Sequence, residues 1–167
     1  MDRETRIGFV GAGRVGTALA VALRAAGYAV VAAASRSYAS AERLAARVPG
    51  HRALPDAQAV AEAADLVFIT PPDDAIASVA RSVRWRPGQA VVHCGGALGV
   101  EALAAAKAQG AQVGAFHPLQ AFAGGKTAPD VLHGITFALE GEPPLRDGLA
   151  ELARALGGRS VVLQPGD

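Results

Sequence analysis

Short, unbroken apolar runs, each followed by a stretch with helical signals, constrain this chain more than any other feature. "IGFVG" (7–11), "AVVAAAS" (29–35), "DLVFIT" (65–70), "QAVVHC" (89–94), "AQVGAF" (111–116), "GITFALE" (134–140) and "SVVLQ" (160–164) read as strands. A strand with one wet face alternates apolar and polar residues; these do not, so they belong to a sheet covered on both faces. The segments between them carry helix stops and caps: Gly27 ends 14–26, Ser40 caps a helix that stops at Pro49-Gly50, and Asp56 caps the next. Asp73 or Asp74 is expected to cap the helix after "FITPP", and 99–110 reads as one helix ending in glycine. With a short strand at 51–54, the pattern predicts an α/β, doubly wound, mainly parallel sheet of about seven or eight strands. A polar, glycine-containing loop is expected over 120–130.

At 167 residues and 51% hydrophobic, the chain suits one domain with a sizeable core. A net charge of +1, with scattered Lys and Arg, argues against a nucleic-acid partner. Cys94 is the only cysteine, which excludes an intrachain disulfide and a Cys-rich metal site. "MDRETR" leads straight into a strand and is no signal peptide, and the apolar stretch 18–34 is broken by Arg24 and Gly27. A cytoplasmic protein without membrane contact is expected.

At the first strand-to-helix junction stands "GAGRVG", with Gly11, Gly13 and Gly16 in G-x-G-x-x-G spacing. Gly11 would make the tight turn, Gly13 would let backbone approach a pyrophosphate, and Gly16 would let the helix pack closely. The N–H groups of the first turn, near Arg14 and Val15, would face the anion at the positive end of the helix dipole. A purely structural glycine turn is the alternative. A loop for an adenosine-carrying methyl donor is another, although that ligand normally wants an acid at the end of the second strand.

That position holds Ser35-Arg36-Ser37. An acid would hold the 2′-hydroxyl of NAD and repel a phosphate, whereas the planar donor fork of arginine matches phosphate oxygens. Two charged hydrogen bonds at roughly 1.5–3 kcal/mol each would favour NADP over NAD by ~100-fold or more. The alternative is a solvated arginine at a strand end.

Ligands of open α/β sheets bind beyond the carboxyl ends of the strands, so later strand ends carry information too. Thr70-Pro71-Pro72 forms a rigid turn suited to walling a nicotinamide ribose. His93 and His117 fall at the ends of neighbouring strands, where general acid/base work near neutral pH is available to them. Either could instead be a buried histidine bonded to backbone. Cys94 reads as packing rather than as a nucleophile. No further ligands stand ready to make a metal site.

Together "IGFVGAGRVGTALA", "SRS", "TPPDDAI", "VVHCGGAL" and "GAFHPLQAFAG" resemble a group of predicted oxidoreductases. These have an N-terminal Rossmann domain of the 6-phosphogluconate dehydrogenase type, followed by a helical domain of unknown function. The glycine loop and the strand-two arginine are also similar to those of pyrroline-5-carboxylate reductase and the deazaflavin-dependent NADP reductases. His117-Pro118 is similar to the pair in prephenate dehydrogenases, where the histidine contacts the reacting hydroxyl, and this ranks His117 above His93. Two departures stand out. The family usually offers a serine where this chain has Gly95, and its helical domain, which closes the site and commonly builds the dimer, would begin after "VVLQPGD".

The resemblance implies a single NADP-binding domain over 1–167 that serves hydride transfer with a small carbonyl, imine or hydroxyl substrate. A homodimer is left open. The alternatives are a non-catalytic dinucleotide-binding regulatory or partner module, and a fold that has lost its nucleotide.

Overall fold

The computed structural model describes residues 1–119 and 132–164. The elements run β1 (Arg6–Val10), α1 (Arg14–Ala25), β2 (Ala29–Ala34), α2 (Tyr38–Arg47), β3 (Arg52–Ala53), α3 (Ala57–Ala63) and β4 (Leu66–Ile69). They continue with α4 (Asp73–Ser82), β5 (Ala90–His93), a 3-10 turn (Val100–Leu103), α5 (Ala104–Ala108) and β6 (Gln112–Pro118). After the expected loop at 120–130, which lies outside the described residues, come β7 (Thr136–Gly141), α6 (Pro143–Ala155) and β8 (Arg159–Val162).

The strands form one eight-stranded sheet in the order β3-β2-β1-β4-β5-β6-β7-β8. The first six are parallel; β7 runs antiparallel to β6, and β8 parallel to β7. Unbroken apolar runs are covered on both faces in β1, β2 and β4 to β7. The edge strand β8 departs from that expectation, with Val161 and Val162 exposed because no further strand or helix lies over them among the described residues. Helices α1, α2 and α6 bury Leu19, Leu23, Leu44, Leu149 and Leu152 on one face, while α3, α4 and α5 bury Val60, Ile76, Ala80 and Ala106 on the other. On the first face Phe9, Phe68, Phe116 and Phe137 form a row across the sheet, with successive ring centroids 5.2, 5.9 and 4.3 Å apart. Phe68 sits inside that row fully buried, so trimming it to alanine would remove about 3–5 kcal/mol of stability.

At the amino ends of the strands, the backbone N–H and the Nε of Arg6 donate to Oδ2 of Asp65 (3.0 and 3.3 Å), and its Nη2 donates to Oδ1 (3.0 Å). The hydrogen bond from Arg6 holds the Asp65 carboxyl below its ordinary range. This clamp joins β1 to β4 at the edge opposite the ligand side of such sheets.

Three local expectations are corrected. Helix α2 starts at Tyr38, and its cap is Ser37, whose Oγ accepts from the Ser40 N–H (3.3 Å); Ser40 lies inside the first turn. Neither Asp73 nor Asp74 caps α4: Pro72 is the N-cap and both acids stand in the first turn, where they favour the helix dipole instead. The segment 99–110 is split, because Ala102 N–H bonds back three residues to the Gly99 carbonyl (3.3 Å) while Glu101 accepts from the Gly99 N–H (3.2 Å).

Candidate functional site

Strand order reverses around β1, with β2 on one side and β4 on the other, so a crevice opens beyond the carboxyl ends of these strands. A groove of about 440 Å³ fills it, bounded by the turn after β1, the end of β2, the β3–α3 junction and the turn after β4. A second groove of about 320 Å³ continues from Gly13 and Val15 past Thr70–Asp73 to Cys94 and Gly95.

The glycine elbow is built by close approach. Gly11 has φ +110°, a left-handed conformation that favours glycine, and its N–H donates to the Ala34 carbonyl (2.8 Å). A Cβ there would lie 2.7 Å from the Pro71 nitrogen. A Cβ on Gly16 would lie 2.6 Å from both the Gly11 oxygen and Thr70 Oγ1. Thr70 is the lock of this elbow: its N–H donates to the Val10 carbonyl (2.7 Å) and its hydroxyl to the Gly11 carbonyl (3.0 Å). It therefore lines both grooves with its hydroxyl already engaged, alongside Pro71 and Pro72.

Gly13 differs from its neighbours. A Cβ on it would meet nothing within 4 Å, because its open side is the groove. It is the N-cap of α1, where no side-chain hydrogen bond caps the helix and no acid stands in the first turn, so the positive end of the helix dipole near Arg14 and Val15 meets no such cap at the edge of the groove. Ser35 and exposed Arg36 line the main groove at the end of β2. Ser37 does not; its oxygen is turned to the α2 amides as a cap.

The two histidines part company. His93 is fully buried; Nδ1 accepts from the Gly95 N–H (3.0 Å) and Nε2 meets the Gly99 carbonyl at 2.8 Å. Since one nitrogen accepts, the proton sits on Nε2, and both ring nitrogens are committed to the loop after β5. His117 is half-buried within β6, and its Nδ1 lies 3.1 Å from the Cys94 carbonyl, which fixes Nδ1 as the protonated nitrogen. Its ring covers Gly96, where a Cβ would come within 2.5 Å of Nε2. His117 thus stands directly behind Cys94, one residue removed from the groove wall. Burial pushes the Cys94 thiol far up, as suits packing rather than nucleophilic attack.

Several wall residues escaped the sequence reading. Pro55 and Asp56 line the main groove, although the strand-end rule applied to β3 points to them. Asp73 lines the second groove and accepts from the Ala97 N–H (3.3 Å), tying α4 to the loop after β5. Its acidic type alone gave only the capping role. Among the described residues, no group of three or more His, Cys, Asp or Glu could hold a metal, and no helix is long and apolar enough to cross a membrane.

A glycine elbow and a helix end without a side-chain cap, placed where a parallel sheet reverses its order, define a doubly wound α/β domain. The chain belongs to the Rossmann-like domain family, whose model matches residues 2–118. No curated protein matches it. Among solved structures it is similar to a candidate NADP oxidoreductase from Bacteroides fragilis, with 25% identity, TM-score 0.81, and 97% of this chain and 61% of that one covered. A protein from Thermotoga maritima is also 25% identical, with TM-score 0.71 and coverage of 94% and 56%. A reductive aminase from Aspergillus terreus, in complex with NADPH and ethyl-5-oxohexanoate, shares the fold at 18% identity, TM-score 0.72 and coverage of 96% and 55%. The chain therefore spans somewhat more than half the length of the structures it matches.

Proposed function

We propose that residues 1–167 form the NADP(H)-binding unit of an oxidoreductase acting on a small carbonyl, imine or hydroxyl substrate. The observation that carries this is Arg36 on the groove rim at the end of β2, beside an elbow whose Gly13 leaves room for a phosphate. The residues fit the cofactor. The amides of the first α1 turn, with Arg14 and Val15, hold the pyrophosphate, and Gly11 and Gly16 keep that turn in shape. Arg36 and Ser35 hold the 2′-phosphate, while Ser37, expected beside them from the sequence, caps α2 outside the groove lining. Pro71 and Pro72 wall the ribose on the nicotinamide side, with Thr70 as the lock beneath. The apolar side of the groove, Val10, Ala34, Pro55, Ala75 and Val79, accepts a flat ring. The likeness to the Bacteroides fragilis protein supports the choice of NADP.

When bound, the cofactor supplies hydride exchange at its nicotinamide. His117 is the proton-handling candidate: with Nδ1–H held by the Cys94 carbonyl, its Nε2 is left to take or give a proton. His93 serves as a staple of the loop between them, since neither of its nitrogens is available. A second wall that excludes water and orients the substrate completes such a site. The reading places the protein in the cytoplasm with a small-molecule substrate, and leaves a homodimer open.

Paired calorimetry with NADP and NAD tests the reading. Wild type should prefer NADP by ~100-fold, and Arg36→Asp should shrink or reverse that preference. Equal affinity for both in wild type would overturn it. A protein that binds NADP yet oxidises no NADPH over a panel of small carbonyl compounds would instead be a non-catalytic binding module.

A further inference from the structure

Among the described residues, Asp73 is the one acid in the lining of the second groove. It opens α4 directly after Pro72, whose ring fixes the approach of the chain at φ −52°. Its two carboxylate oxygens are used unequally. Oδ2 accepts from the Ala97 N–H (3.3 Å), whereas Oδ1 accepts no hydrogen bond from the described residues. Oδ1 stands over the backbone of Gly95, where a Cβ would lie 2.8 Å from it. That backbone is itself anchored, because the Gly95 N–H donates to Nδ1 of buried His93 (3.0 Å).

The surroundings give this charge reach. Val15, Pro71, Pro72 and Cys94 supply apolar walls, beside which a charge acts through a lower effective dielectric than in water. Asp74, the next residue, stands in the same first turn of α4 but lines neither groove. The helix dipole treats the two acids alike; only the groove tells them apart.

We infer that Asp73 is an electrostatic partner of the nicotinamide ring, favouring its oxidised, pyridinium form over the reduced, dihydropyridine form. This rests on the reading of the grooves as an NADP site with Pro71 and Pro72 on the nicotinamide side. Hydride donation carries two electrons and one proton from the ring to an electrophilic substrate carbon, and leaves one positive charge on the ring. A carboxylate fixed beside the ring lowers the energy of that charge as it develops. The oxidised form is then held more tightly, and the bound cofactor becomes the stronger reductant. Asp73 thus biases the domain toward reducing its substrate. The phosphate-binding elbow has no such effect, since both redox forms carry the same phosphates.

The test needs no substrate. Calorimetry measures the affinities for NADP+ and NADPH in wild type, Asp73→Asn and Asp74→Asn, at low and at high salt. Asparagine keeps an acceptor for the Ala97 N–H and removes the charge. Asp73→Asn should lose about tenfold in NADP+ affinity relative to NADPH, which equals a rise of about 30 mV in the potential of the bound two-electron couple. Asp74→Asn should keep the wild-type ratio. Arg14, the other charged residue of the lining, is present throughout and drops out of the comparison. High salt should shrink the preference for the oxidised form in wild type and leave the Asp73→Asn ratio unmoved. An unchanged ratio in Asp73→Asn overturns the inference and leaves the NADP reading intact. An equal shift in Asp74→Asn also overturns it, because the effect then belongs to the helix end as a whole. Should Asp73→Asn fail to fold, the wild-type salt dependence decides alone, and a ratio indifferent to salt overturns the inference. A chain that prefers NAD overturns the NADP reading only, and the same ratio taken with NAD+ and NADH then decides the role of Asp73. A chain that binds neither dinucleotide overturns both.

Discussion

The two inner glycines of the elbow should fail in opposite ways when each gains a methyl group. At Gly16 the new Cβ would sit 2.6 Å from the Gly11 carbonyl oxygen and 2.6 Å from Thr70 Oγ1. One of these is backbone and the other is the lock of the turn, so neither yields freely. Overpacking costs about 1–3 kcal/mol, and losing the Thr70 hydroxyl bond adds about 1 kcal/mol. The better helix propensity of alanine returns about 1 kcal/mol. Gly16→Ala should therefore lose about 1–3 kcal/mol, seen as a Tm drop on the order of 3–10 °C. At Gly13 a Cβ meets nothing within 4 Å, and φ −80° suits alanine. The weaker cap and the stiffer unfolded chain nearly cancel, so Gly13→Ala should hold its Tm within about 2 °C. The methyl group would instead project into the space through which a pyrophosphate reaches the helix end, and NADP affinity should fall tenfold or more. Thermal unfolding and calorimetry on both variants decide the matter. If Gly13→Ala binds NADP as wild type does, the elbow does not hold a phosphate; if it melts as early as Gly16→Ala, the steric account of the turn is wrong.

Ser37→Ala should cost about 1 kcal/mol by uncapping α2, while Ser40→Ala should leave the cap whole; chemical denaturation of both variants checks the difference. His51 is buried, its two ring nitrogens have no partner among the described residues, and burial holds its pKa down at about 4, against 6.5 for a free histidine. The folded chain refuses a proton that the unfolded chain accepts below pH 6.5. Stability is thus complete above that pH and falls as pH drops toward 4, by on the order of 2 kcal/mol after allowance for partial solvent access. Urea midpoints at pH 7.5, 5.5 and 4.5 should show this slope in wild type and a flatter one in His51→Phe; parallel slopes would refute it. Cys94, buried with its thiol pushed up, should resist alkylation at pH 8 in the folded protein and react at once in urea. Prompt labelling of the native chain would contradict that placement.

The sequence by itself determined the strand-helix alternation, the parallel sheet and the elbow. Each rests on short-range physics: continuous apolar runs need two covered faces, and G-x-G-x-x-G at a strand end needs a tight turn. Arg36 was legible for the same reason, as a strand-end residue at a fixed distance from the elbow. Contacts between residues far apart in the chain were decided only in three dimensions. Thr70 became a lock because β4 lies beside β1, and both His93 ring nitrogens are engaged because Gly95 and Gly99 fold back onto the ring. Ser37 became the cap when the chain turned earlier than Ser40. Periodicity specifies which face of an element is buried, but only the assembled sheet specifies which side chains share a space.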